Sequence, residues 1–332
     1  MNKSFKAIIA DQQNNKYEAL LKTLTVNDLP DRDTLIQVDY SSLNYKDALA
    51  VSGKGKICRS LPMVCGIDLA GRIEESSNKQ WSKGDSIIVN GYGMSETNWG
   101  GYSQYQRVSS EWLIRLPENM DFKMAMSLGT AGYTAMLCVQ AIQDHGIKPD
   151  DGPIVVTGAS GGVGSVALMI LTKLGYQSVA VSGRESTHDY LLSLGASKVI
   201  SRDELDRESR PLEKELWAGG IDSVGSTTLA TMLAQTQYDG IVAACGLAGG
   251  HNLPSTVMPF ILRGVTLKGI DSVMASMSKR QRAWDQLAQL FTSDELDIIS
   301  SVKPMNELPK LADDLLTGKL KGRIVIDVNA VD

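Results

Sequence analysis

The sequence predicts an α/β chain in two parts, a small β-rich domain and a doubly wound parallel sheet, and three observations predict it. Residues 5–117 read as short strands between turns, punctuated by glycines such as Gly66, Gly71, Gly84, Gly91 and Gly100. From 154 onward, short apolar runs alternate regularly with helix-forming segments. Between these regions, 123–144 carries helical propensity with few breakers and predicts a bridging helix.

In chain order, the β-rich part offers strands over 34–40, 67–74 and 85–90. The bridging helix is interrupted only by Gly129 and Gly132, and the turn cluster 148–153 closes it. A strand over 154–157 then leads into a helix from Val163. Strands over 178–182 and 198–200 flank a helix that starts at Ser186. The alternation continues with a strand over 221–224, a helix over 227–237, and strands over 241–245 and 265–270. The segment 277–290 is helical in pattern, and a strand over 323–328 closes the chain. There is no internal repeat and no low-complexity tract.

Composition excludes several classes of function. The 332 residues can form two domains with a sizeable core, and 43% hydrophobic with 21% charged residues is ordinary for a globular chain. With 33 basic and 38 acidic residues the net charge is −5, which gives no general attraction to nucleic acid. Cys58, Cys65, Cys138 and Cys245 include no C-x-x-C pair, so neither a disulfide framework nor a zinc ribbon is expected, and a reducing, cytoplasmic compartment fits. The apolar run 7–10 is too short for a signal peptide, and no apolar stretch approaches the ~18 residues that a membrane helix needs.

The chemistry is most legible at 154–164, where an apolar strand meets the turn Gly158-Ala159-Ser160-Gly161-Gly162-Val163-Gly164 before a helix. Small residues let the backbone approach a pyrophosphate, and the helix N-terminus supplies amides and a favourable dipole for its charge. Ala159 stands where G-x-G-x-x-G has its first glycine. Ser160, Gly161, Gly162 and Val163 are the expected pyrophosphate contacts. Twenty residues beyond Gly164, where an NAD fold places an acid, the chain reads Ser182-Gly183-Arg184. A hydroxyl and an arginine fork suit a 2′-phosphate, and Arg202, just past the third strand, can flank it, so NADPH is expected over NADH. The alternative is a surface loop with solvated arginines.

Several separated motifs narrow the reading: 41–49 (SSLNYKDAL), 62–71 (PMVCGIDLAG), 98–101 (NWGG), 129–136 (GTAGYTAM), 181–188 (VSGRESTH), 243–250 (AACGLAGG) and 258–263 (MPFILR). With them, essentially the whole chain resembles the medium-chain dehydrogenase/reductase superfamily. The resemblance is to the zinc-free, quinone-oxidoreductase-like branch that contains NADPH-dependent acrylyl-CoA reductase. It implies a GroES-like catalytic domain from 1–124 and 271–332, and a Rossmann NADPH-binding domain over 125–270. Zinc-dependent members carry a cysteine where this chain has Asn44, and a histidine-glutamate pair where it has Ile67-Asp68, so no metal site is expected. His145, His188 and His251 share no ligand spacing.

The resemblance implies reduction of the activated C=C bond of a short 2-enoyl thioester, with acrylyl-CoA as the small-molecule substrate. It places Tyr45 beside the nicotinamide as the leading catalytic residue, to orient cofactor or substrate or to donate a proton, with Asn44 and Asp47 orienting its loop. A tyrosine merely packed with its hydroxyl satisfied is the alternative. Thr130, Leu247, Ile261 and Ser272 correspond to cofactor contacts in the family, and a capping role for the Thr130 hydroxyl is the other reading. Lys303, Lys310, Lys319, Lys321 and Arg323 make the C-terminal part basic. Such residues usually form a solvated face, with help to a phosphate-rich CoA as the alternative. Tyr92 and Trp99 can line an acyl pocket or pack in the core. A homodimer joined through the edge strand 265–270 is expected, without nucleic-acid or membrane partners. Rival functions are a quinone or enone reductase, a zinc alcohol dehydrogenase, and a scaffold or sensor that holds NADPH without turnover.

Overall fold

A computed structural model describes residues 3–13 and 16–331. It divides into two compact units, Met1–Thr130 with Ser272–Asp332, and Ala131–Asp271.

The first unit opens with a feature that the sequence reading lacks, a long antiparallel hairpin of β1 (Ser4–Gln13) and β2 (Lys16–Thr25). Its alternation is partly masked, because Ala7, Ile8, Ile9 and Ala10 are all buried. β3 (Thr34–Leu43) runs on past the expected end, and Asn44 then starts α1 (Tyr45–Ser52). β4 (Met63–Val64) pairs with β1, and β5 (Asp68–Ser76), β6 (Ser86–Asn90), β7 (Tyr105–Val108) and β8 (Ile114–Arg115) build the main sheet around β3.

α2 (Phe122–His145) continues the chain and is interrupted at Gly129, whose φ of 52° and ψ of −156° are not helical. By length and hydropathy α2 passes for a membrane span, contrary to the expectation that no stretch would. It is a core helix, with 94% of the relevant window buried in protein.

The second unit is the expected doubly wound sheet. β9 (Ile154–Val156), α3 (Gly162–Lys173), β10 (Ser178–Ser182), α4 (His188–Ser193) and β11 (Lys198–Ser201) form its first half. β12 (Trp217–Asp222), α5 (Ser226–Gln235), β13 (Thr236–Ala244), α6 (Met258–Arg263) and β14 (Thr266–Gly269) form the second. All six strands are parallel, in the order β11-β10-β9-β12-β13-β14, with the switch of direction between β9 and β12. That crevice is where such sheets bind ligands. β12 starts four residues before the expected 221–224 and ends two before it, because Trp217-Ala218-Gly219-Gly220 joins the sheet although its glycines carry little strand propensity.

β14 is an edge strand as expected, yet it exposes Lys268 and Gly269 rather than an apolar row. Exposed apolar side chains near it in sequence lie on and before α6, at Val257, Ile261 and Leu262.

The C-terminal segment belongs to the first unit. α7 (Met277–Leu290) has the predicted bounds, and α8 (Ser293–Ile299), β15 (Ser300–Pro304) and α9 (Leu308–Leu316) follow, none of them read from the sequence. β16 (Arg323–Asp327) inserts beside β3, giving the order β15-β16-β3-β5-β6-β8. Leu43, Leu69, Ile73, Val89 and Ile326 belong to the core under this sheet.

Candidate active site

In the second unit the glycine turn and the residues expected to hold the cofactor form a cradle at the carboxyl ends of β9, β10 and β11. Gly158 takes the left-handed conformation (φ 57°) that the turn requires. This explains why Ala159 is tolerated, since the special backbone angle falls one residue earlier. Gly164 is needed for close approach, because a Cβ there would sit 2.5 Å from the Gly158 carbonyl oxygen and the Ala159 Cα. The first-turn amides of α3, at Gly162 and Val163, open toward the turn with no intrahelical acceptor.

Asp222, at the end of β12, fixes the floor. It accepts from the Thr157 hydroxyl at 2.6 Å and from the Gly225 amide at 2.8 Å, and burial holds its carboxyl above the ordinary range. Sequence reading passed it over, because an acid at a strand end looks like a turn residue.

Arg184 and Arg202 meet this cradle. An Arg184 Nη donates to the Ser160 hydroxyl at 3.0 Å. The Arg202 guanidinium lies over Gly183, with its Cζ 3.0 Å from where a Cβ would stand, so a side chain at 183 would displace the guanidinium by a few tenths of an ångström. Arg202 is exposed, and its side chain makes no hydrogen bond or ion pair among the described residues. The Ser182 hydroxyl instead turns into the loop, 2.8 Å from the Thr187 hydroxyl, and accepts from the Arg184 amide at 3.2 Å. Two guanidiniums beside an open helix N-terminus and a side-chain-free turn fit a dinucleotide with a 2′-phosphate. Leu247 and Ile261 in this unit are 65% and 71% exposed, available to a ligand.

In the first unit a buried polar centre lies under the start of α1. Asp68 opens β5, and its carboxylate accepts six hydrogen bonds: from the Ser41 hydroxyl, the Ser42 amide and hydroxyl, the Asn44 carboxamide, and the Thr130 amide and hydroxyl. Asp68 thus fixes Thr130, just past the break at Gly129, through both its amide and its hydroxyl. The Thr130 hydroxyl spends its proton on Asp68 at 2.8 Å and can only accept from anything else. Asn44 accepts from an Arg323 Nη at 3.2 Å, and its Nδ2 donates to Asp47 at 3.0 Å as well as to Asp68.

Asp47 is fully buried and receives the Asn44 and Ile67 amides at 3.0 and 2.9 Å. Burial first, and the charge of Asp68 second, push its carboxyl up to about 7.

Arg323 completes this centre and overturns its reading as one of a row of solvated or CoA-assisting cations. It is 2% exposed and donates to the Ser127 and Leu43 carbonyls, the Asn44 carboxamide and the Ser42 hydroxyl. Burial pulls the guanidinium below its ordinary range, while the charges of Asp68 and Asp47 oppose that shift. The available signal was an arginine at the head of the apolar strand Arg323-Ile324-Val325-Ile326. Gly129 is required beside it, because a Cβ there would come within 2.4 Å of the Ser42 hydroxyl and 2.7 Å of the guanidinium.

Asn44, Ile67 and Asp68, at the positions of zinc ligands, do not fit a zinc ion: they offer neither thiolate nor imidazole, and a guanidinium already lies among their partners. Among the described residues, no three His, Cys, Asp or Glu side chains converge.

Tyr45 stands on the first turn of α1, 47% exposed, directly after the polar centre. Ser272 is half-buried, and its carbonyl accepts from Arg280, which also holds the Val273 carbonyl and the Asn90 carbonyl. Tyr92 is half-buried, stacked on Trp112 at 5.3 Å and covered by Arg280 at 4.0 Å. Trp99 donates to the Pro62 carbonyl beside a small apolar cluster.

Two family models match the chain, "Alcohol dehydrogenase GroES-like domain" over residues 30–118 and "Zinc-binding dehydrogenase" over 162–293. The "Probable acrylyl-CoA reductase AcuI" of Escherichia coli is 51% identical across 98% of this chain and 100% of that protein. The "Acrylyl-CoA reductase AcuI" of Ruegeria pomeroyi is 48% identical over 98% of this chain and all of its own length. The crystal structure of the yhdH oxidoreductase from Salmonella enterica, in complex with NADP, superposes with a TM-score of 0.95 at 50% identity, covering 97% of this chain and 99% of that one.

Proposed function

The chain belongs to the medium-chain dehydrogenase/reductase superfamily, alongside the acrylyl-CoA reductases, and from that premise we propose that it is an NADPH-dependent reductase of acrylyl-CoA, with propionyl-CoA as product. The observation that carries this reading is full-length identity of 48–51% to two acrylyl-CoA reductases. The paired guanidiniums at Ser160 and Gly183 supply the physical counterpart on the cofactor side.

When bound, NADPH supplies a hydride for the β carbon of the enoyl thioester. The protein's part is to hold, orient and protonate. Ser160, Gly161, Gly162 and Val163 would hold the pyrophosphate, and Arg184 and Arg202 the 2′-phosphate. Leu247 and Ile261, and in the other unit Thr130 and Ser272, are proposed as further cofactor contacts. Thr130, with its proton committed to Asp68, is an acceptor for an amide donor. Charge that develops on the thioester oxygen calls for a hydrogen-bond donor, and Tyr45 is the exposed donor on the rigid first turn of α1. Asn44 and Asp47 act behind it by fixing that turn: the Asp47 carboxyl takes the Asn44 amide while Asn44 takes the guanidinium.

Zinc independence is part of the proposal, supported by the donor set described above. So is a homodimer through the β14 edge, supported by the exposed Val257, Ile261 and Leu262 nearby in the fold, and a cytoplasmic location, supported by the pattern of cysteine use.

The deciding experiment follows NADPH oxidation with acrylyl-CoA, crotonyl-CoA, a quinone and an alkenal. The reading requires acrylyl-CoA to give the highest kcat/KM. A higher value with the quinone would make the chain a quinone reductase, and no turnover with any of them would leave only a cofactor-binding protein. Light scattering at micromolar concentration tests the dimer, and zinc content with chelation tests the metal-free site.

A further inference from the structure

We propose that the basic loop 53–61, which follows α1, binds the phosphates of the coenzyme A part of the substrate. The site rests on the acrylyl-CoA reading and adds to it the place where the far end of that thioester is held.

The loop reads Gly53-Lys54-Gly55-Lys56-Ile57-Cys58-Arg59-Ser60-Leu61, with three cations between 54 and 59 and no acid. A run of charge by itself is usually a solvated face. Here the backbone is tied down on two sides. Gly53 takes the left-handed conformation (φ 68°), and a Cβ there would stand 2.5 Å from the Tyr17 ring, so β2 packs directly on the start of the loop. The Tyr17 hydroxyl donates to the Ala50 carbonyl and lies 3.5 Å from the Cys58 sulfur. At the other end the Cys58 thiol donates to the Ser95 carbonyl at 3.4 Å, and the Arg59 amide donates to the Glu96 carbonyl at 2.8 Å.

Between these ties lies a surface cavity of about 300 Å³, at the small end of the range for ligand sites. Its walls include Tyr17, Lys56 and Arg59 and no carboxylate. A larger cavity of about 600 Å³ elsewhere in this unit sets Asp31, Asp33 and Glu75 beside Arg32 and Arg107, and so offers an anion no net attraction.

The cations of the loop differ in how far they are already committed. Lys54 is paired with Asp313 at 2.8 Å. Lys56 is exposed, and its ammonium makes no hydrogen bond or ion pair among the described residues. Arg59 reaches Glu96 through Nε at 3.5 Å, but Glu96 is shared with Lys46, and the Arg59 side chain stays 64% exposed. Lys46, Arg59 and Glu96 together carry one net positive charge, and Lys56 adds a second. The amides of Gly55 and Lys56 find no acceptor among the described residues either, so the loop offers backbone donors beside its cations. Phosphate oxygens are the acceptors that such a set suits.

The position along α1 selects the ligand. Tyr45 opens that helix and Gly53 follows its last residue, which puts them about 12 Å apart at 1.5 Å per residue. Coenzyme A carries its sulfur at one end of the pantetheine arm and its pyrophosphate and 3′-phosphate beyond the other. The arm can span the helix, so a thioester held at Tyr45 brings its phosphates to the loop. A quinone has no such part, and the loop therefore favours a coenzyme A thioester over it.

The test compares the full-length wild type with Lys56→Ala/Arg59→Ala at saturating NADPH, on acrylyl-CoA and on acrylyl-pantetheine, which keeps the thioester and the arm but has no phosphate. The variant should raise KM for acrylyl-CoA about tenfold, from two exposed charge contacts, with kcat kept. Its KM for acrylyl-pantetheine should equal that of the wild type, which a merely structural role of the loop would not allow. Added salt should raise the wild-type KM for acrylyl-CoA more steeply than the variant's. Equal KM for acrylyl-CoA in variant and wild type overturns the site, and so does an equal rise for both thioesters. If the wild type reduces both thioesters with the same KM, the reductase reading stands and the phosphate site falls. If it reduces neither, the reductase reading fails and takes the site with it.

Discussion

Arg323 and Asp68 are joined through the Ser42 hydroxyl: a guanidinium nitrogen donates to the Ser42 Oγ at 2.8 Å, and that oxygen donates onward to the Asp68 carboxylate at 2.7 Å, with the Asn44 carboxamide as a second bridge. No direct ion pair links them. The guanidinium satisfies carbonyls, the carboxylate holds the Thr130 amide, and Ser42 and Asn44 each bond to both charges. The first turn of α1 and the kink of α2 are both anchored on this arrangement.

Replacing Arg323 with methionine should therefore be costly. It leaves Asp68 and Asp47 buried without their cation, a loss of about 3–5 kcal/mol of stability. Urea unfolding of Arg323→Met against the wild type measures it. A change under about 1 kcal/mol would mean that the centre relaxes freely and that its hydrogen bonds are not what holds the loop.

Asp47 gives a dependence on pH with a definite sign. Its folded carboxyl is raised to about 7 from an ordinary 3.8, so the folded chain holds a proton that the unfolded chain releases. The associated stability is fully present below about pH 4 and is lost as pH rises toward 7, with a slope of up to about 1.4 kcal/mol per pH unit. Asp47→Asn should remove that slope from the stability profile between pH 4 and 7. Parallel profiles for variant and wild type would show that Asp47 is ionised throughout.

For the cofactor, Arg184→Ala should weaken NADPH binding around thirtyfold, from one lost charge-assisted contact of about 2 kcal/mol. NADH affinity should hardly change, because the turn at Ser160 to Val163 is common ground for both cofactors. Arg202→Ala should behave alike, since its guanidinium lies over Gly183 without a protein partner among the described residues. Titration of both cofactors checks this. Equal losses for NADPH and NADH would assign Arg184 to the pyrophosphate turn or to the fold.

Tyr45→Phe should lower turnover with acrylyl-CoA. A loss of about 100-fold or more, with cofactor affinity intact, identifies the phenol as the proton donor. A loss of a few fold together with weaker NADPH binding identifies an orienting role. If rate and affinity both stay at wild-type values, Tyr45 has neither.

Much of the architecture is written locally. The strand-turn-helix over Ile154 to Lys173, the alternation that follows it, and α7 at Met277–Leu290 are each decided by apolar period, glycine placement and helix propensity within one segment. Local signals failed where tertiary context dominated. The β1–β2 hairpin hides its alternation in a fully buried run, β12 contains two adjacent glycines, and α2 has the composition of a membrane span.

By itself the sequence determined the doubly wound sheet, the glycine turn, the arginine at the end of its second strand, and the lack of thiolate and imidazole at Asn44, Ile67 and Asp68. These are matters of which residue stands at which place in a repeating pattern. Only the tertiary structure decided that Arg323 leaves the basic C-terminal face for the buried centre, that Thr130 serves Asp68, and that Arg202 lies over Gly183. The physical reason is the same in each case. Hydrogen bonds and charge interactions act across a few ångströms whatever the separation along the chain, and Arg323 lies 281 residues from the hydroxyl it binds.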